Sequence, residues 1–226
     1  MNKIYYQHFI VLLFVLAGFS CASNEENTEE VQVVREEGAI PADEPKTILF
    51  FGNSLTAGYG IDPDDAFPGL IQQKIDSLDL NYRVINGGLS GETTASGLNR
   101  LDWFLEEEPN IFILELGGND GLRGIPVTET RSNLIKMVEL VRSRYGDTEI
   151  VLAGMQIPPN MGRQYAEDFR RMYEDIANEY DLVLIPFLLE GVGGEASLNL
   201  PDGIHPTEEG HKIVAETVWE YLYPIL

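Results

Sequence analysis

From Lys46 to the C-terminus, short apolar runs alternate with longer stretches whose apolar residues recur on one helical face. Ile48-Leu49-Phe50-Phe51 opens the series as an unbroken apolar run, the pattern of a parallel strand buried on both sides. Strands are predicted over 47–51, 83–86, 111–116, 149–154 and 182–185. Helices are predicted over 67–78, 93–106, 128–144, 163–180 and 206–223. The last carries Ile213, Val214, Val218, Tyr221 and Leu222 at a spacing that leaves one apolar face. Strict alternation of strand and helix predicts an α/β fold, a three-layer α/β/α sandwich with a central parallel sheet of about five strands. Right-handed crossovers bring every strand's carboxyl end to one edge, where open α/β sheets bind ligands. Ser54 and residues 87–91, 117–120, 155–160 and 202–205 all follow strand ends, so the topology gathers them on one rim.

The first 45 residues break the pattern. Lys3 precedes an apolar run from Phe9 to Ala17, short for a membrane span and suited to a secretory leader. Gly18-Phe19-Ser20 leads into Cys21, the sole cysteine, and resembles the lipobox of a bacterial lipoprotein, with Phe19 a less usual occupant. The resemblance implies a signal peptide at 1–20, cleavage before Cys21 and lipidation of its thiol and new amino group. More than one acyl chain gives stable anchoring where one is marginal. A conventional signal peptide with an incidental cysteine is the alternative. Residues 22–45 hold Glu25, Glu26, Glu29, Glu30, Glu36, Glu37, Asp43 and Glu44 against Arg35, with Pro41 and Pro45. With little to bury, the segment 21–45 reads as a lipidated cysteine and a disordered acidic tether ahead of the domain at 46–226. The expected location is the cell envelope, anchored to the outer membrane and facing the periplasm or the exterior.

A chain of 226 residues with 44% hydrophobic content suits one α/β domain. The formal charge is −22; setting aside Lys3 and the tether's −7 leaves −16 on residues 46–226. An acidic domain without basic clusters argues against nucleic acid and against adhesion to anionic headgroups. With the only thiol at Cys21 no disulfide is expected, so the fold stands on its core.

The rim residues carry the candidate chemistry. Gly52-Asn53-Ser54 ends a buried strand and delivers a hydroxyl to the sheet edge, although Ser54 alone fits a helix cap equally well. The Gly-rich stretch Asn86-Gly87-Gly88-Leu89-Ser90-Gly91 lets backbone N–H groups approach a ligand, and alone it reads as an ordinary strand-to-helix turn. In Gly117-Gly118-Asn119-Asp120, Asn119 offers an uncharged donor, while Asp120 is expected to cap or pin its loop. In Asp202-Gly203-Ile204-His205-Pro206, Pro206 fits a first helical position and Glu208 and Glu209 the first turn. That places His205 in the loop before the helix, and His211 within it as a surface or packing residue. Asp202 can turn back onto Nδ1 of His205 and leave Nε2 free to take a proton from Ser54. A helix-capping loop or half of a metal site is the alternative, but a metal needs further His or Cys ligands than the chain supplies.

Four blocks in this order resemble the GDSL or SGNH hydrolase superfamily, over nearly all of the domain from Thr47. They are Gly52-Asn53-Ser54-Leu55-Thr56-Ala57-Gly58-Tyr59, Ser90-Gly91-Glu92-Thr93-Thr94, Glu115-Leu116-Gly117-Gly118-Asn119-Asp120-Gly121-Leu122-Arg123-Gly124 and Asp202-Gly203-Ile204-His205-Pro206. The third is especially similar to the bacterial branch of acyl-CoA thioesterase I, lysophospholipase L1 and arylesterases. The resemblance implies a flavodoxin-like sandwich and a serine esterase with Ser54 as nucleophile, His205 as general base and acid, and Asp202 as its orienter. It also implies an oxyanion hole from the N–H groups of Ser54 and Gly91 and the Asn119 amide, with no metal or organic cofactor. Position 53 departs from the pattern, with Asn where the family name carries Asp. The nucleophile also lacks the Gly-x-Ser-x-Gly elbow of α/β-hydrolases. Leu122, Ile125, Met155, Ile157 and Met161 are candidate walls for an acyl chain, or else they simply cover the core. The expected partners are a small-molecule ester or lipid substrate and the membrane through the Cys21 anchor, with the protein a monomer. Aryl and short-to-medium acyl esters, lysophospholipids and thioesters are the expected substrates. The alternatives are a carbohydrate acetylesterase of the same superfamily and a non-catalytic surface lipoprotein that binds lipid or glycan.

Overall fold

In the computed structural model, residues 44–226 are described, within one unit spanning Asp43–Leu226. The predicted leader at 1–20, the Cys21 expected to carry lipid and nearly all of the predicted tether lie outside the described residues. Five strands form one fully parallel sheet: β1 (Lys46–Gly52), β2 (Tyr82–Gly88), β3 (Ile111–Glu115), β4 (Glu149–Ala153) and β5 (Val183–Ile185), in the order β2-β1-β3-β4-β5. The helices are α1 (Ser54–Ala57), α2 (Phe67–Ser77), α3 (Thr94–Phe104), α4 (Gly118–Leu122), α5 (Val127–Arg144), α6 (Arg163–Glu179) and α7 (Glu208–Leu222). Each predicted strand and helix is present. The short α1 and α4 occupy stretches read as loops, because four or five residues carry no period to detect.

The apolar run of β1 shows why both sheet faces must be covered. Successive side chains of a strand point to opposite faces. Phe50 meets Phe67 of α2 edge-on at 5.5 Å between centroids, and Phe51 meets Phe104 of α3 at 5.5 Å. Helices α2 and α7 pack together on one side, and α3, α5 and α6 pack in series on the other. Each fully buried Phe, Leu or Ile contributes about 1.5–3 kcal/mol relative to exposure. The outer edge of β2 is covered by a side chain: Gln72 of α2 accepts from Val84 N–H at 2.6 Å and donates to the Tyr82 carbonyl. That occupies groups an edge strand otherwise leaves open to pairing.

Two helices begin later than the sequence suggests, for one reason. Thr93 caps α3 through a capping box with Ser96, and Thr207 caps α7 by accepting from Gly210 N–H at 3.2 Å. Pro206 therefore precedes the cap instead of opening the helix, while Glu208 and Glu209 do fill the first turn. The strand order reverses between β1 and β3, and such a switch point is where open α/β sheets form a ligand crevice.

Candidate active site

The end of β1 delivers Ser54 to the switch point. Asn53, at φ −98° and ψ −142°, breaks the strand and caps α1, its Oδ1 accepting from Leu55 N–H at 2.9 Å. The cap is thus Asn53 and not Ser54, whose hydroxyl is left to other partners. The helix stops after one turn at Gly58, whose φ of +73° lies in the left-handed region glycine tolerates. Ser54 Oγ lies 2.8 Å from His205 Nε2 and 3.3 Å from Asn53 Oδ1.

His205 arrives from the segment between β5 and α7. A bridge between Asn199 and Pro206 and a bond from Leu200 N–H to the His205 carbonyl at 2.7 Å close this segment into a turn. Within it Asp202 Oδ2 lies 2.8 Å from His205 Nδ1, and Oδ1 accepts from the N–H groups of Ile204 and His205 at 3.0 and 3.1 Å. The Ile204 N–H, followed by the His205 ring, holds the Asp202 carboxyl down to about 2. An ionised carboxylate only accepts, so Nδ1 carries the proton and the Nε2 lone pair faces Ser54. Tyr59 covers the imidazole, its ring centroid 4.5 Å away. His211 is a packing residue of α7, its Nδ1 accepting from Phe67 N–H at 3.2 Å. Burial lowers its pKa to about 4, with a smaller contribution from the His205 charge.

Across the switch point, β3 feeds α4. Gly117 has φ +114° and a Cβ there would collide with Tyr173 Oη, which donates to the Leu116 carbonyl, so only glycine fits. Asn119 sits in the first turn of α4 and donates through Nδ2 to the Glu92 carbonyl at 3.0 Å, tying itself to the Gly91 loop. Arg100 braces that loop from α3 by pairing with the buried Glu92 carboxylate and donating to the Gly87 carbonyl at 2.7 Å. Asp120 takes the pinning role expected of it, accepting from Thr94 N–H at 2.9 Å and from the Thr94 hydroxyl.

Ser54, Asn119 and His205 open onto one cavity of about 400 Å³, walled by Leu122, Met155, Ile157, Phe187, Leu189 and Ile204 among others. Leu122, Met155 and Ile157 are among its lining residues. Ile125 and Met161 are not among the lining residues. Ile125 lies past the end of α4, where its carbonyl accepts from Tyr165 Oη at 2.6 Å. Gly91 is likewise outside the cavity wall and reaches the site through the Glu92–Asn119 bond. Three partners escaped the sequence reading: Tyr59 on His205, Arg100 on Glu92, and Glu115 behind Asn53. A lone carboxylate in the otherwise apolar run of β3 is the signal that marks Glu115.

The GDSL-like Lipase/Acylhydrolase family matches residues 50–213, which takes in Ser54, Asn119, Asp202 and His205. The chain belongs to this family. Esterase TesA of Pseudomonas aeruginosa is 40% identical over 182 residues, covering 80% of this chain and 90% of that protein. The thioesterase 1/protease 1/lysophospholipase L1 of Escherichia coli K12 is 35% identical over 181 residues, 80% of this chain and 85% of that protein. Among solved structures, the psychrotrophic esterase EstA from Pseudoalteromonas sp., inhibited by monoethylphosphonate, superposes with a TM-score of 0.75 at 31% identity. That match covers 79% of this chain and 97% of EstA. The chain is accordingly a hydrolase of the GDSL family with its α/β sandwich.

Proposed function

We propose that the protein hydrolyses carboxylic esters through an acyl-enzyme on Ser54. The observation that carries this reading is the unbroken relay from Asp202 through His205 to Ser54, with both links at 2.8 Å. Ser54 Oγ attacks the carbonyl carbon while its proton passes to His205 Nε2, and Asp202 stabilises the imidazolium. The tetrahedral oxyanion sits against the Ser54 N–H and the second N–H of the Asn119 amide, whose first N–H holds the Gly91–Glu92 loop beside them. His205 then returns the proton to the leaving alcohol, and water, deprotonated by the same nitrogen, releases the acid.

The apolar cavity wall supports an acyl chain, so aryl and short-to-medium acyl esters, thioesters and lysophospholipids are the proposed substrates. The names of the relatives, esterase and thioesterase/lysophospholipase, support the same range. Inhibition of EstA by a phosphonate supports a serine nucleophile, because tetrahedral phosphorus resembles the tetrahedral intermediate formed when a hydroxyl attacks a carbonyl. The test is hydrolysis of p-nitrophenyl esters from acetate to palmitate, with Ser54→Ala in parallel. Activity that peaks at a medium chain and vanishes in the variant supports the reading; folded protein inactive on every ester sinks it. Anchoring at Cys21 belongs to the same proposal. Incorporation of labelled palmitate in cells, lost in Cys21→Ala, tests it, and equal labelling of that variant contradicts it.

A further inference from the structure

Glu115 is a buried carboxyl that the proposed ester chemistry leaves unused. It is the last residue of β3 and pairs in register with Gly52 of β1, at the switch point and directly behind the nucleophile turn. Only 1% of it is exposed. Oε2 accepts from Asn53 N–H at 3.0 Å and Thr56 Oγ1 at 2.8 Å, and Oε1 accepts from Asn53 Nδ2 at 2.7 Å. The Thr56 backbone N–H faces the same carboxyl. A Cβ on residue 52 would collide with Thr56 Oγ1 and lie 2.5 Å from Glu115 Oε2, so the turn is wrapped around this group. On its far side, Asn53 Oδ1 accepts from Leu55 N–H at 2.9 Å and lies 3.3 Å from Ser54 Oγ, whose single proton faces His205 Nε2. The carboxyl therefore decides which way the Asn53 amide faces, nitrogen toward Glu115 and oxygen toward Ser54.

We propose that Glu115 is a positioning residue for the nucleophile, whose grip on the Asn53 amide fixes the Ser54 hydroxyl where His205 can take its proton. The proposal rests on Ser54 as nucleophile. Asn at position 53 allows the link to hold with Glu115 ionised, because the amide brings its own protons. An Asp there would put two carboxylates within hydrogen-bond reach, and these stay together only while they share a proton. Burial pushes the Glu115 carboxyl up to about 7 against the pull of the Thr56 and Asn53 donors. The titratable groups around it are Tyr173 of α6, whose phenol is raised by burial and then by Glu115 and Asp120, and the Arg100–Glu92 pair beside Gly52. Beyond Ser54 lie His205 and Asp202.

The test is a donor–acceptor exchange. Asn53→Asp alone opposes two carboxylates; Glu115→Gln alone turns an amide N–H onto the Asn53 N–H groups. In the double variant the amide now at position 115 donates to the carboxylate now at position 53. Its oxygen still accepts from the residue-53 N–H and from Thr56, so each bond survives with its direction allowed. With kcat and KM for p-nitrophenyl acetate measured from pH 6 to 9, Asn53→Asp should match wild type at pH 6. By pH 9 its kcat should fall at least tenfold relative to wild type, at unchanged KM. Glu115→Gln should lose at least tenfold in kcat throughout, and the double variant should return to within threefold of wild type at every pH. A double variant no better than either single, an Asn53→Asp profile parallel to wild type, or a double variant that does not fold overturns the proposal. If the singles do not fold, the folded double's recovery decides alone. Ser54→Ala in the same assay separates the two claims: residual turnover there removes the nucleophile, whereas an inert Ser54→Ala with no rescue removes only the role of Glu115.

Discussion

The two halves of the site are built differently. The nucleophile half lies inside the fold: Asn53, Thr56 and Glu115 are buried, and their bonds join β1 to β3 across the switch point. The acid–base half rides on the connection between β5 and α7, with Asp202 exposed and held by bonds among near neighbours. Burial makes the first half rigid and sensitive to protons, since a buried group left unpaired costs about 1–3 kcal/mol. Local closure makes the second half self-contained, so it can be altered without disturbing the sheet.

That contrast orders the expected effects. Ser54→Ala should lower kcat by roughly 10⁵- to 10⁶-fold, the scale on which loss of a serine nucleophile disables its partners too, read by active-site-limited ester kinetics. Asp202→Asn should cost about 10⁴-fold, because the amide can donate to Nδ1 and permits the wrong tautomer. Its melting temperature should match wild type, since the group is exposed; a large fall in melting temperature would erase the distinction between the halves. Asn119→Ala should lower kcat by about 100- to 1000-fold at little change in KM, as for removal of one oxyanion donor.

The smallest effects are in stability against pH, and two buried groups pull in opposite directions. His211 has its pKa depressed from 6.5 to about 4, so its contribution is present above pH 6.5 and is lost as pH falls through 4. Glu115 is raised from 4.5 to about 7, so its contribution is present below pH 4.5 and is lost as pH rises through 7. Each is worth roughly 3 kcal/mol at most on the linkage scale. His211→Asn, which keeps an acceptor for Phe67 N–H, should therefore flatten the fall in melting temperature between pH 6.5 and 4. An unchanged slope would remove His211 as the source.

The same division explains what could be read from the sequence. Asp202 and His205 stand three residues apart, and a short loop closes such a pair by itself, so their contact was legible. So were the five strands, because unbroken apolar runs such as 48–51 have few other uses. Glu115 and Asn53 lie 62 residues apart and meet only because β1 and β3 are neighbours. The sequence indicates that these strands are parallel, but not their register, and register decides which side chain backs the nucleophile. The short α1 and α4, the Thr93 and Thr207 caps, and the turn that carries Ile125 away from the cavity depend likewise on local geometry with no period behind it. Glu115 itself could have been suspected, as a charge where every neighbour is apolar.

The central claim is that Ser54 is an activated nucleophile, and covalent capture tests it most directly. The protein is treated with a fluorophosphonate and digested, and the adduct is located by mass spectrometry. The account predicts one adduct, on Ser54, absent from Ser54→Ala and strongly slowed in His205→Ala. Folded protein that acquires no adduct, or carries it elsewhere while Ser54→Ala still hydrolyses esters, contradicts it.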